Sequence, residues 1–118
     1  MQAETVPRNF TVPQGTTYPI RMRWLDSAGV PIDLTGAIVR AQLRKNFSDA
    51  LPTLTFTTVN GKAFLDTVTG FFGFDLLPAA TSAIAARLYV YDIEVVTAGG
   101  DVTRALMGTI TFTSEVTR

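Results

Sequence analysis

The chain has neither cysteine nor histidine among its 118 residues. Without cysteine there can be no disulfide, no thiol nucleophile and no zinc site built on thiolates. Without histidine the commonest general base and metal ligand is gone. Ser27, Ser48, Ser82 and Ser114 therefore have no imidazole to activate them. Serine–lysine chemistry would fall to Lys45 or Lys62, and both sit in loop contexts with nothing distinctive nearby. Surplus charge is also missing, since ten Lys and Arg balance ten Asp and Glu. Nucleic-acid binding normally leaves a basic imbalance, so that partner class is not expected. No apolar run approaches the ~20 residues that span a bilayer. The start, Met1-Gln2-Ala3-Glu4, is not a basic-then-apolar leader. The expectation is a protein made in a cytoplasm, with no membrane partner, no metal, no cofactor and no enzymatic activity.

What is present is apolar and β-branched. The hydrophobic fraction is 47% against 17% charged, enough to exclude disorder. Threonine supplies 18 residues, with nine glycines and six prolines as punctuation. Residues 1–8 carry no period and read as an N-terminal arm, leaving 9–118 as one domain. Phe10 and Val12 alternate with Thr11 in a short first strand. Tyr18, Ile20, Met22 and Trp24 hold every second position of the next, with Arg21 and Arg23 between them. Pro19 lacks an N–H, so that strand lies at a sheet edge or begins near Ile20.

Ala37, Val39, Ala41 and Leu43 then face one way and Arg40, Gln42 and Arg44 the other. Leu54 and Phe56 alternate with threonines, and Asn60-Gly61 signals a hairpin into Ala63 to Asp66. Phe72, Phe74 and Leu76 share a face, with Phe71 turned outward and in need of a cover. Pro78 to Ala86 is the one helical candidate. Tyr89, Tyr91, Ile93 and Val95 form a further apolar face, and Leu106, Gly108, Ile110 and Phe112 a last one. Seven or eight short strands at roughly ten-residue spacing, with one helix before the penultimate strand, predict an all-β, antiparallel Ig-like sandwich. Trp24 is expected at its centre, near Tyr91 and Phe112.

Asp92 and Glu94 are two apart on one strand, so their carboxylates share a side about 7 Å apart. Such a pair can serve glycosidic acid–base chemistry, which needs a cleft and one raised pKa. In an Ig-like arrangement the neighbouring strand carries Arg40 and Arg44, so structural ion pairing across the ladder is the expectation. Asp26, Asp33, Asp66, Asp75 and Asp101 are scattered singly, without calcium-loop spacing. The strand parity of Tyr18, Trp24, Tyr89 and Tyr91 assigns them to the core rather than to a sugar platform. Phe10, Pro19, Arg21, Arg23 and Phe71 are the candidate interface. They combine an open edge beside the short first strand with an outward aromatic and an arginine face.

The order of motifs is also informative. Phe10-Thr11-Val12-Pro13-Gln14-Gly15-Thr16-Thr17-Tyr18-Pro19-Ile20 precedes a turn at Ala28-Gly29-Val30-Pro31. Ile32-Asp33-Leu34-Thr35-Gly36-Ala37 opens a strand ending in Arg44. Leu88-Tyr89-Val90-Tyr91-Asp92-Ile93-Glu94 leads through a glycine turn to a last strand over Arg104 to Phe112. This order, over about residues 9 to 115, resembles the small Ig-like domains of tailed-phage tail and baseplate proteins, such as the N-terminal domain of the siphophage baseplate upper protein. The resemblance implies a virion structural or adaptor role, other virion proteins and further copies of the chain as partners, and no catalytic residues. The alternative reading is a carbohydrate- or host-surface-binding β-sandwich module.

Overall fold

The computed structural model describes residues 6–116. Its larger sheet runs in the order β1 (Val6–Pro7), β9 (Val102–Thr113), β8 (Leu88–Val96), β4 (Ile38–Arg44), β5 (Leu54–Thr57). Strand β2 (Phe10–Pro13) also pairs with β9, on the flank that β1 occupies. The smaller sheet has the order β3 (Tyr18–Arg23), β7 (Phe71–Leu76), β6 (Ala63–Leu65). All pairings are antiparallel except those of β1 and β2 with β9. Strands β9, β8 and β4 take the G, F and C places of an Ig-like sandwich, and β3, β7 and β6 take B, E and D. A tyrosine corner agrees with this. Tyr89, at the start of β8, donates its hydroxyl to the Ala85 carbonyl at 2.9 Å.

Alternation built these strands. Tyr89, Tyr91, Ile93 and Val95 of β8 are all buried, and so are Val39, Ala41 and Leu43 of β4. Ile20, Phe72, Phe74 and Leu76 come from the smaller sheet to meet them. Phe56 of β5 stacks on Phe74 of β7 with ring centroids 4.4 Å apart, joining the two sheets directly. Helix α1 (Pro78–Ala83) starts with proline at its first turn and has no side-chain cap. It is shorter than the stretch to Ala86 expected from composition, because Ile84 is already extended. Packing holds so short a helix in place. Buried Thr81 donates its hydroxyl to the Thr16 carbonyl at 3.1 Å, and Gln14 Nε2 donates to the Ile84 carbonyl at 2.7 Å.

The structure departs from the sequence reading at four places. Residues 6 and 7 of the expected arm form β1 and continue the sheet beside Leu106 and Met107, while residues 1–5 lie outside the described residues. Asn60-Gly61 closes no hairpin, because β5 belongs to the larger sheet and β6 pairs with β7 in the smaller one. The chain crosses between sheets there. Trp24 is buried, at 5% exposure, yet it lies just past β3 at the far end from Tyr18. Six residues of extended chain separate the two, about 20 Å. Phe10, which contacts both Tyr18 and Tyr91, marks the other end, so Trp24 closes one end of the core and is not at its centre. Finally, β9 carries a bulge, since Ile93 faces Leu106 while Glu94 faces Arg104, leaving Ala105 as an extra residue.

Candidate functional site

Two outward faces carry the residues singled out by sequence. The smaller sheet turns Pro19, Arg21 and Arg23 of β3 outward beside Phe71 and Asp75 of β7 and Phe64 of β6. Its register aligns Pro19 with Asp75, Arg21 with Gly73 and Arg23 with Phe71, and Phe64 with Gly73 on the other side. Arg21, Gly73 and Phe64 thus form one row across three strands. Because Gly73 has no side chain, the Arg21 guanidinium crosses it and lies 4.2 Å from the Phe64 ring centre. A Cβ at Gly73 would collide with the Ile20 carbonyl, so the strands approach here only because the residue is glycine.

Arg21 also pairs with Asp75 at 2.7 Å. That carboxylate oxygen is sealed from solvent and has no aligned hydrogen bond, so the contact is ionic. Arg23 lies 5.1 Å from the Phe71 ring centre and donates Nε to the Thr69 carbonyl at 2.7 Å. Phe64 and Phe71 remain 38% and 39% exposed. The face therefore holds two arginine–phenylalanine stacks in fixed positions, beside an edge strand. Phe10 is elsewhere. Its ring is 6.1 Å from Tyr18 and 6.0 Å from Tyr91, packed against the core. Phe10 thus leaves the candidate interface, and Phe64 and Asp75 join it.

The larger sheet carries the carboxylates. Arg40 and Glu94 are in register and meet at 2.8 Å through Nε and Oε1. Asp92 faces Gln42, and its ion-pair partner is Arg104 at 3.3 Å. Arg44 instead donates to the Asp49 carbonyl at 2.6 Å and to Gln42 Oε1 at 2.7 Å. Burial, and then the neighbouring Glu94, push the Asp92 carboxyl above its usual range, with Arg104 opposing. A shallow groove of about 260 Å³ runs beside Asp92, between Arg44, Phe47 and Met107. With a guanidinium beside each carboxylate, the arrangement offers ion pairing and hydrogen bonding to a partner surface.

Arg104 was missed by sequence reasoning for a physical reason. Counting back by twos from Phe112 puts it on the core side, and the bulge at Ala105 reverses that parity. The edges differ as well. On β5 the Asn60 side chain accepts from Thr57 N at 3.0 Å and donates to the Thr55 carbonyl at 3.4 Å, occupying groups a docking strand would use. No strand among the described residues pairs with the outer edge of β3. Among those residues, no group of three or more acidic side chains is placed to hold a metal ion. Among the described residues no helix is long and apolar enough to cross a membrane.

No family model and no curated protein matches the chain. Among solved structures it is similar to Drosophila OTK, extracellular domains 3–5, with 13% identity and a TM-score of 0.45. The alignment covers 94% of this chain and 35% of that one, so this chain spans about a third of that neighbour.

Proposed function

We propose that the chain is a structural adaptor of a tailed-phage virion, placed in the tail or baseplate, which holds neighbouring virion proteins against the outer face of its smaller sheet. It is made in the host cytoplasm and ends in the particle. The observation that carries this reading is the gathering of Pro19, Arg21, Arg23 and Phe71 on one face beside the unpaired edge of β3. Arginine and aromatic side chains are the groups that anchor protein interfaces. Here they are already stacked, so little side-chain freedom is lost on docking. The ordered sequence motifs supply the virion context, and the Ig-like sandwich supplies a rigid block.

The test is co-expression with the tail and baseplate proteins of the same phage, followed by co-purification. The wild type should retain a partner, and Arg23→Glu with Phe71→Ala should lose it while still folding. Absence of the chain from intact particles would overturn the proposal. Binding to glycans without any virion protein would favour the carbohydrate-binding alternative.

A further inference from the structure

The two ends of the sandwich carry opposite charge, and each also exposes apolar side chains. Register fixes which residues share an end. Arg44 faces Val90, which puts the loop after β4 beside the start of β8. Ile38 faces Val96, so the start of β4 lies with the end of β8 at the opposite pole, about 20 Å away along the strands.

At the first pole the Arg87 guanidinium donates to the Lys45 backbone carbonyl at 3.3 Å, and Lys45 and Arg87 border the same surface hollow. The acids at this end are Asp49, whose carboxylate accepts from the Asn46 backbone and side chain, and Glu115, whose carboxylate lies against Gly15. Between Lys45 and Arg87 lies a shallow groove of about 580 Å³ lined by Phe47, Leu88 and Val90. Phe47 is 77% exposed there.

At the other pole three loops meet: Gly70 lies against Pro31, and Gly36 against Ala98. They carry Asp26, Asp33, Asp66 and Asp101, with Arg23 as the nearby cation turned to the Thr69 carbonyl. Hydrogen bonds from Thr35 hold the Asp33 carboxyl below its usual range, and those from Thr69 and Val68 do so for Asp66. Val30 and Val68 protrude among these acids, with Val68 86% exposed.

We propose that copies of this chain associate head to tail. The acidic loop end of one copy, led by Val68, seats in the Phe47 groove of the next, with Asp66 and Asp101 facing Lys45 and Arg87. Both halves of a complementary pair, an aliphatic tip among acids and an apolar groove between cations, belong to one chain of zero net charge. Such a contact is heterologous, so it builds a ring when the rotation closes and a filament when it does not.

The experiment needs only purified chain, so its outcome is separate from that of the virion proposal. Sedimentation velocity at low salt should show assemblies that grow with concentration and shrink at high salt. The first variant is Lys45→Glu with Arg87→Glu, and the second is Val68→Lys with Asp101→Lys. Each alone should associate on the order of a hundredfold more weakly, since like charges then meet. Mixing the two should give a one-to-one heterodimer that grows no further, because the first keeps the native acidic end and the second the native cationic end. Thermal melts of both variants establish that they fold. A wild type that stays monomeric at every concentration and salt level would overturn the proposal. So would assembly unchanged by either variant, or no heterodimer on mixing.

Discussion

Replacing Tyr91 by phenylalanine tests how the first strands are fastened to the sandwich. Tyr91 is 3% exposed and lies in register with Gly108 of β9. Its hydroxyl donates to the Arg8 carbonyl at 2.9 Å, between β1 and β2, and that carbonyl sits where a Cβ at Gly108 would be. Arg8 N donates to the Met107 carbonyl at 2.8 Å, and Asn9 Oδ1 accepts from Thr109 N at 3.0 Å. The phenol is therefore one of three ties at this junction. Tyr91→Phe keeps the ring and removes one hydrogen bond, a loss of about 1 kcal/mol. For a domain of this size that lowers Tm by about 3–5 °C.

Burial also pushes the Tyr91 phenol from 10.0 up to about 12. The folded chain keeps this proton past the pH at which the unfolded chain releases it. Its contribution is thus full below pH 10.0 and is lost as pH rises through about 12. Two pH units correspond to at most about 2–3 kcal/mol, and solvent screening lowers that figure. Wild type should be the more stable protein at neutral pH, and its advantage over Tyr91→Phe should shrink and reverse in the alkaline window. Urea unfolding of both proteins from neutral to alkaline pH measures this, and hydrogen exchange at Arg8 reads the local release. Parallel stability curves across that window, or unchanged protection at Arg8, would refute the argument.

Trp24→Ala should cost about 3–5 kcal/mol even though the side chain closes an end of the core, because it is buried there; a melt within a few degrees of wild type would contradict this. Asn60→Ala should uncover the edge of β5 and raise concentration-dependent aggregation, read by light scattering, while lowering stability by about 1 kcal/mol. Asp92 behaves oppositely to a well-paired carboxylate. Since burial raises its pKa, the folded chain binds the proton more readily, and this group favours folding more as pH falls through its folded value. Asp92→Asn should therefore leave neutral-pH stability equal or higher, with wild type catching up in acid. Glu94→Gln should weaken an exposed pair with Arg40 worth less than about 1 kcal/mol, seen as a small shift in denaturation midpoint.

Strand parity alone makes most of the fold legible in the sequence. Val39, Ala41 and Leu43 on one side, and Tyr89, Tyr91, Ile93 and Val95 on another, needed only a period of two and a core to face. The same parity brought Pro19, Arg21, Arg23 and Phe71 to one face. It failed where the period breaks, because a bulge at Ala105 carries no obvious sequence mark and decides where Arg104 points. Asn60-Gly61 misled because turn chemistry reports that the chain bends and leaves open which sheet it enters next. Phe10 lies in a short strand with few neighbours to reveal its facing, and only the long-range pairing of β2 with β9 settles its place against Tyr91. The stacking of Arg21 on Phe64 depends on a three-strand register through Gly73, which local pattern does not encode.

The proposed role sets another virion protein against the outer face of the smaller sheet. The absence of native cysteine makes a direct measurement possible, since a single introduced cysteine carries a cross-linker at one known position. Particles of a tailed phage that encodes this chain would be grown with Phe71→Cys or, as a control on a different surface, Val59→Cys. Cross-linking followed by mass spectrometry of the purified particles would then identify the neighbour of each position. The chain should be present in the particles, and position 71 should join a tail or baseplate protein while position 59 does not. Particles that lack the chain, or equal cross-linking from both positions, would contradict the proposed role.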